Sequence, residues 1–162
     1  RRRHSFPTRR SSDLEQIADR LKGAEKAVAK AKGVTLEKHL TKNLTVLEGR
    51  VVGEEILKRP KSKRPDAIFA ANDLLALGIM QSILVAPDVS IPNDIALVGY
   101  DDISYASTAL ISLTSIRQPS LLIGAQAVEL LMMETEEPGS AKGRQVVFQP
   151  ELVVRDSSLL RK

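Results

Sequence analysis

Two apolar stretches of the sequence each end in a pair of polar residues that could bind a ligand. Asn72 and Asp73 follow the stretch DAIFAA, and Asp101 and Asp102 follow IALVGY. Their amide and carboxylate groups donate and accept hydrogen bonds, which suits a sugar, a nucleoside or another small polar ligand. Two structural roles compete with this interpretation: helix capping by the first pair and a solvated turn at the second. Capping and ligand contact can also coexist.

Catalysis by these residues has little support in the sequence. Neighbouring carboxylates point to opposite sides of the chain, and no second acidic pair is placed to complete a glycosidase dyad or a metal site. His4 and His39 have no fixed serine or aspartate partner, no glycine-rich phosphate loop occurs, and the absence of cysteine excludes thiolate catalysis. We therefore expect no catalytic residue, no bound metal and no cofactor.

Alternating strands and helices must position the polar pairs. Apolar stretches of strand length cover residues 66–71, 95–100 and 113–116, and helical patterns cover residues 14–32, 48–58, 73–86 and 120–134. A final strand pair, broken at Pro150, is predicted in QVVFQPELVVRDS. This alternation predicts an α/β fold with a parallel sheet flanked by helices, in which ligands bind beyond the carboxyl ends of the strands.

Composition indicates a globular protein with an aliphatic core. The 162 residues suffice for one ordinary domain, aromatic residues make up only 3% of the sequence, and Trp is absent. No apolar run is long enough to span a membrane, and the first residues lack the apolar stretch of a secretory signal. We therefore expect a cytoplasmic protein.

Excess positive charge is confined to the start of the sequence. The formal net charge is +4, but residues 1–13 contain five Arg and one Asp, so the other residues include 19 basic and 19 acidic side chains. This segment has no helical or alternating period, and its SFPTRRSSDL part resembles translated sequencing-adapter sequence. We interpret residues 1–13 as a disordered, non-native tail. A basic arm that binds phosphates is the alternative.

Four stretches, in this order and spacing, resemble transcription regulators of the lactose-repressor (LacI/GalR) family: PDAIFAANDLLALGIMQ, IPNDIALVGYDDI, LTSIRQP and PELVVRDS. The resemblance implies a periplasmic-binding-protein-like domain of two α/β subdomains with an effector in the cleft between them. On this basis residues 14–117 form the C-terminal effector-binding subdomain. Residues 118–162 are a return segment, a helix plus strands, that belongs partly to the N-terminal subdomain.

The same resemblance implies roles for individual residues. RLKG at residues 20–23 resembles an R-x-x-G motif of the family, which makes Arg20 the expected effector anchor. Asn72 and Asp101 would complete the C-terminal half of the pocket, with Asp73 and Leu44 as further possible effector contacts. An exposed helix position is the alternative for Arg20.

Dimerisation is implied for the helix that follows Asn72. Leu77, Met80 and Gln81 are the residues expected to face a second copy of the chain, with a place in the core as the alternative. The helix after Gln118 would lack most of the sheet it should cover, which predicts an exposed apolar face and a tendency to associate. The side chains expected on that face are Leu121, Leu122, Val128, Leu131 and Met132.

The resemblance implies the effector-sensing and dimerisation region of a sugar- or metabolite-responsive, DNA-binding transcriptional repressor. No helix-turn-helix precedes Leu14, so DNA would be contacted only through a domain absent from this sequence. The sugar-binding protein of a transport system, which shares the fold, is the alternative. A hydrolase that uses Asp73 and Asp101 is a third possibility.

Overall fold

The computed structural model of the chain describes residues 15–159, and the predicted tail at residues 1–13 lies outside that range. The helices are α1 (Glu15–Lys30), α2 (Val46–Leu57), α3 (Asp73–Leu84), α4 (Ser104–Thr108) and α5 (Ser120–Glu136), with a short 3-10 helix at Lys61–Lys63. The strands are β1 (Ala67–Phe69), β2 (Ala96–Asp101), β3 (Thr114–Arg117) and β4 (Glu151–Val153). The α/β class predicted from the alternation of elements is confirmed.

The four strands form one sheet in the order β1-β2-β3-β4. Strands β1, β2 and β3 are parallel, whereas β4 runs antiparallel to β3 and places Leu152 opposite Ile116. Because β1 and β2 are parallel neighbours joined through α3, they form a βαβ unit. The carboxyl ends of β1 and β2 therefore lie at the same edge of the sheet.

Two glycines let α2 and α3 pack backbone against backbone. A Cβ atom at Gly78 would lie 2.1 Å from the Val46 carbonyl oxygen, and one at Gly49 would lie 2.2 Å from the Leu75 carbonyl oxygen. No larger residue fits at such a distance, so these positions require glycine. The core beside this helix pair is aliphatic, as the composition predicts, and its largest fully buried apolar members are Ile56, Ile83, Ile95, Leu97 and Leu113.

Ser157, just beyond β4, connects β2 and β3 at their amino ends. Its hydroxyl donates to the Leu97 carbonyl at 2.6 Å and accepts from the Thr114 N–H at 2.8 Å. Its carbonyl accepts from the Leu97 N–H at 2.8 Å, and the residue is fully buried. Ser157 therefore satisfies backbone groups of two core strands at once.

The last part of the chain differs from the prediction made from its sequence. The predicted strand pair around Pro150 is wrong, because residues 144–150 form no strand and only β4 joins the sheet. Pro150 has no N–H to donate to a neighbouring strand, and β4 pairs with β3 instead. The short helix α4 follows Asp102 and was not predicted from the sequence.

Helices α1 and α5 lie at the periphery and contain no buried residue. The predicted exposure of the apolar face of α5 is confirmed, since all five of its named side chains are more than half exposed. A contiguous apolar face favours association, which stays a prediction. None of the helices in residues 15–159 combines the length and hydropathy needed to cross a membrane.

Candidate ligand-binding site

Asn72 lies where β1 leads into α3. Its side-chain oxygen accepts a hydrogen bond from the Leu75 N–H at 2.9 Å, which is the N-cap considered from the sequence. Its amide nitrogen donates to the Leu44 carbonyl at 3.2 Å and so ties the segment before α2 to this edge of the sheet. Capping leaves one N–H and one oxygen lone pair of Asn72 for a ligand.

Arg20 reaches from α1 to the ends of both β1 and β2. Its guanidinium donates to the Ala71 carbonyl at 2.5 Å and to Asp101 Oδ1 at 3.3 Å. The guanidinium carbon lies 3.7 Å from the centroid of the Tyr100 ring, within the range of a cation–π contact. The side chain is only 11% exposed, so the exposed helix position considered for Arg20 is wrong.

Asp101 receives hydrogen bonds from both sides at the end of β2. Besides Arg20, Gln118 donates its amide N–H to Oδ1 of Asp101 at 2.8 Å. Within residues 15–159 the other oxygen, Oδ2, has no hydrogen-bond partner, and the side chain is 34% exposed. One carboxylate oxygen is therefore free to accept from a ligand hydroxyl.

Tyr100 and Gln118 belong to this cluster, although neither was singled out in the sequence. Tyr100 directly precedes Asp101 on β2, and Gln118 directly follows β3. Their position at the carboxyl ends of parallel strands is the same signal that identified Asp101. Applied to every strand end, that signal would have found both residues.

Asp73 lies beneath the cluster and is 1% exposed. Its Oδ1 accepts from the Ser115 hydroxyl at 2.6 Å, and its Oδ2 accepts from the Ile103 N–H at 2.9 Å. Gly99 makes room for the carboxylate, since a Cβ atom there would lie 2.2 Å from Asp73 Oδ1. Asp73 therefore fixes the segment after β2, and both of its oxygens are engaged inside the protein.

The burial of Asp73 predicts a pH-dependent stability. Burial raises the pKa of the Asp73 carboxyl, against the lowering effect of its hydrogen bonds from Ser115 and Ile103. Folding therefore disfavours the ionised form of Asp73 relative to its protonated form. As the pH falls through the raised pKa of the folded protein towards the pKa of Asp73 in the unfolded chain, Asp73 contributes more to the free energy of unfolding. We expect the unfolding free energy of the unaltered protein, relative to Asp73→Asn, to increase as the pH is lowered from neutrality towards the ordinary aspartate pKa of about 4. Urea unfolding measures this difference, and a constant value across these pH values would contradict the prediction.

Asp102 belongs to a separate ionic cluster next to Asp101. Its side chain is 5% exposed, Oδ2 accepts from Arg117 Nε at 2.7 Å, and Oδ1 lies 2.7 Å from Arg155 Nη1. Burial opposes ionisation, but the Arg155 and Arg117 guanidinium groups outweigh it and hold the pKa of Asp102 below its usual range. The solvated turn considered for this pair is therefore wrong for Asp102.

The other predicted site residues are distributed between core and surface. Leu44 is partly buried and packs against the core. On α3, Leu77 is partly buried and Gln81 is exposed, so both stay candidates for a partner surface. Met80 is 2% exposed within the core, so its assignment to the partner surface is wrong. Helix α3 is apolar around most of its circumference, and its sequence does not show which side faces the core.

No metal site coincides with this cluster in residues 15–159, and a separate groove lies at α2 and α3. Within residues 15–159, no group of His, Asp or Glu side chains could hold a metal ion. A groove of about 690 Å³ lies between α2 and the end of α3, where Arg50, Leu57 and Val85 contribute to its lining. The convergent hydrogen-bonding groups lie elsewhere, at the carboxyl ends of β1 and β2.

Comparison with known proteins places this geometry in a family. The model of the periplasmic binding protein-like domain matches residues 3–158, beginning within the segment interpreted as a tail. The HTH-type transcriptional repressor PurR of Photobacterium profundum is 32% identical over 151 residues, which cover 90% of this chain and 43% of the relative. The chain thus spans less than half the length of the curated relatives it matches.

Solved structures give the same result. A LacI family transcriptional regulator from Lactobacillus casei with bound sucrose is 36% identical, with a TM-score of 0.62 over 70% of this chain and 41% of that protein. The complex of the transcriptional regulator CelR with cellobiose is 32% identical, with a TM-score of 0.74 over 87% of this chain and 42% of that protein. The chain belongs to the periplasmic binding protein-like domain family, in the form found in LacI-family transcriptional regulators.

Proposed function

We propose that the chain is the effector-sensing and dimerisation region of a sugar- or metabolite-responsive, DNA-binding transcriptional repressor. The main support is the contact of Arg20 on α1 with Asp101 at the end of β2. Together with Asn72, these residues converge where α/β folds bind ligands. The sucrose-bound and cellobiose-bound relatives support a polyhydroxyl effector.

The charges at the site favour a neutral effector. Arg20 and Asp101 lie 3.3 Å apart, so their charges largely cancel at the ligand. Arg20 keeps N–H donors beyond the two that bind Ala71 and Asp101, and Oδ2 of Asp101 is an acceptor. A sugar ring with adjacent hydroxyl groups supplies matching acceptors and donors.

Signal output requires parts beyond this site. We propose a homodimer in which Leu77 and Gln81 of α3 face the partner, and contact with DNA through a separate domain. Helix α5 would belong to the N-terminal subdomain, while β4 completes the C-terminal sheet. Effector binding would shift the closure of the two subdomains. As the relatives are transcriptional regulators, we propose a cytoplasmic location.

Binding is proposed in preference to catalysis or transport. The relatives compared above are transcriptional regulators, which favours neither an enzyme nor a transport protein. Asp73, one of the two acids of the hydrolase alternative, has both oxygens engaged inside the protein. A pair of free carboxylates for acid–base chemistry is therefore not formed by Asp73 and Asp101.

Calorimetric titration of the chain with sucrose, glucose and cellobiose tests the proposal. We expect at least one sugar to bind, and Asp101→Asn to bind it about tenfold more weakly, because a charged hydrogen-bond acceptor is lost. Asp88→Asn, which removes an exposed carboxylate paired with Arg64, is the matched control and should bind like the unaltered chain. Unchanged affinity in Asp101→Asn would contradict the site, and no binding by the unaltered chain would contradict a neutral-sugar effector.

A further inference from the structure

Asp101 and Asp102 lie on a strained turn. Their φ angles are 102° and 50°, and within residues 15–159 they are the non-glycine residues with positive φ. Such angles crowd the Cβ atom against the backbone, so surrounding contacts must hold the conformation. The carboxylate proposed to bind the effector is therefore placed by whatever holds this turn.

Besides the Ile103–Asp73 hydrogen bond and the side-chain contacts of Asp101, three contacts hold the turn at Asp102. Its N–H donates to the Ser115 hydroxyl at 3.0 Å, which secures the backbone to β3. Its carboxylate lies between Arg117 and Arg155, at 2.7 Å from each. Because Asp102 shares a peptide bond with Asp101, fixing Asp102 also limits where the Asp101 side chain points.

The two arginines differ in how firmly they are held themselves. Arg117 is 49% exposed and shares its charge with Glu151 at the surface, 3.6 Å away. Arg155 is 15% exposed, and its Nη1 also donates to the Leu113 carbonyl at 2.7 Å. The contact between Arg155 and Asp102 Oδ1 is an ion pair and not a directed hydrogen bond. The strength of this ion pair therefore depends on where the guanidinium is fixed.

The backbone of Arg155 is fixed as well. Its N–H donates to the Thr114 hydroxyl at 2.7 Å, and the same hydroxyl donates to the Arg155 carbonyl at 2.9 Å. The backbone of Arg155 is thus attached to Thr114 of β3, and its guanidinium is attached to Leu113, the residue before β3. Arg155 therefore presents a positive charge to Asp102 from a rigid base.

We propose that Arg155 is a positioning residue for the effector site: it holds Asp102 and thereby sets the direction of the Asp101 carboxylate towards Arg20 and Gln118. A residue beyond β4, far from Asp101 along the chain, would then control effector affinity without touching the effector. This inference rests on the proposed function of Asp101.

Two charge-conserving variants, Arg155→Lys and Arg117→Lys, test the inference. Lysine keeps the positive charge, but its shorter side chain does not bring its ammonium group to the position of Nη1, the atom of Arg155 that contacts both Asp102 and the Leu113 carbonyl. In Arg155→Lys we expect a shifted ¹³Cγ resonance of Asp101 at neutral pH and about tenfold weaker binding of the sugar found in the sucrose, glucose and cellobiose titrations. Arg117→Lys should change both properties less, because Arg117 is more exposed and shares its charge with Glu151.

The outcomes separate positioning from a general loss of charge or fold. An unchanged Asp101 resonance and affinity in folded Arg155→Lys would overturn the inference, and so would equal effects of the two variants. If circular dichroism shows Arg155→Lys to be unfolded, Asp102→Asn replaces it, and an unshifted Asp101 resonance there overturns the inference. If no sugar binds the unaltered chain, the proposed function fails, while the Asp101 resonance still decides the positioning role.

Discussion

Gly78→Ala is expected to destabilise the fold by about 2–3 kcal/mol. A Cβ atom at this position would lie 2.1 Å from the Val46 carbonyl oxygen and 2.8 Å from the Arg50 backbone nitrogen. Those atoms belong to the backbone of α2 and cannot rotate away, so α2 and α3 must separate and loosen the core beside them. The better helix propensity of alanine, about 1 kcal/mol, is too small to offset this overlap.

Gly124→Ala on α5 is the matched control. No atom lies within 4 Å of a Cβ placed there, so only the helix propensity of alanine acts, and we expect a gain of about 0.5–1 kcal/mol. Urea unfolding followed by circular dichroism measures both variants. Similar stabilities for Gly78→Ala and Gly124→Ala would show that α2 and α3 do not pack this closely.

The second large effect is expected on ligand affinity. Arg20→Gln should weaken sugar binding about ten- to a hundredfold, since a charge-assisted hydrogen bond contributes about 1.5–3 kcal/mol. The shorter, neutral glutamine cannot contact the Ala71 carbonyl and Asp101 together, and it removes the cation over Tyr100. Stability should change less than affinity, because α1 contains no buried residue.

Arg59→Gln is the control for this charge change. Arg59 is also paired with an acid, donating to the two oxygens of Glu37 at 2.8 and 2.7 Å, but it makes no hydrogen bond to Arg20, Asn72 or Asp101. Calorimetric titration with the sugar that binds the unaltered chain compares the two variants. Equal losses of affinity would mean that net charge, and not the contacts of Arg20, governs binding.

Features with a local sequence pattern were predictable. The apolar stretch before Asn72 and the capping side chain of Asn72 itself predicted β1 and the start of α3, and both are confirmed. The apolar stretch before Asp101 predicted β2 for the same reason. Each prediction depends on residues within one turn or one strand, where sequence spacing translates directly into geometry.

Features that depend on contacts between distant parts of the chain were not predictable from the sequence. Met80 was assigned to a partner surface from the family resemblance. Because α3 is apolar on nearly all sides, only its packing shows which side is buried. The pairing of β4 with β3 has no local signal, because the partner of a short strand is decided by where the chain returns. The stacking of Arg20 on Tyr100 joins α1 to β2 in the same non-local way.

The bridge formed by Ser157 has a consequence for biosynthesis. During translation this residue is added 60 positions after Leu97, whose carbonyl it binds. Until Ser157 and the preceding β4 leave the ribosome, the Leu97 carbonyl and the Thr114 N–H lack their partner, and the edge of β3 that β4 covers is open to other nascent chains. The sheet is thus finished by a late-made segment, and polypeptides stalled before residue 157 are those expected to aggregate or be degraded.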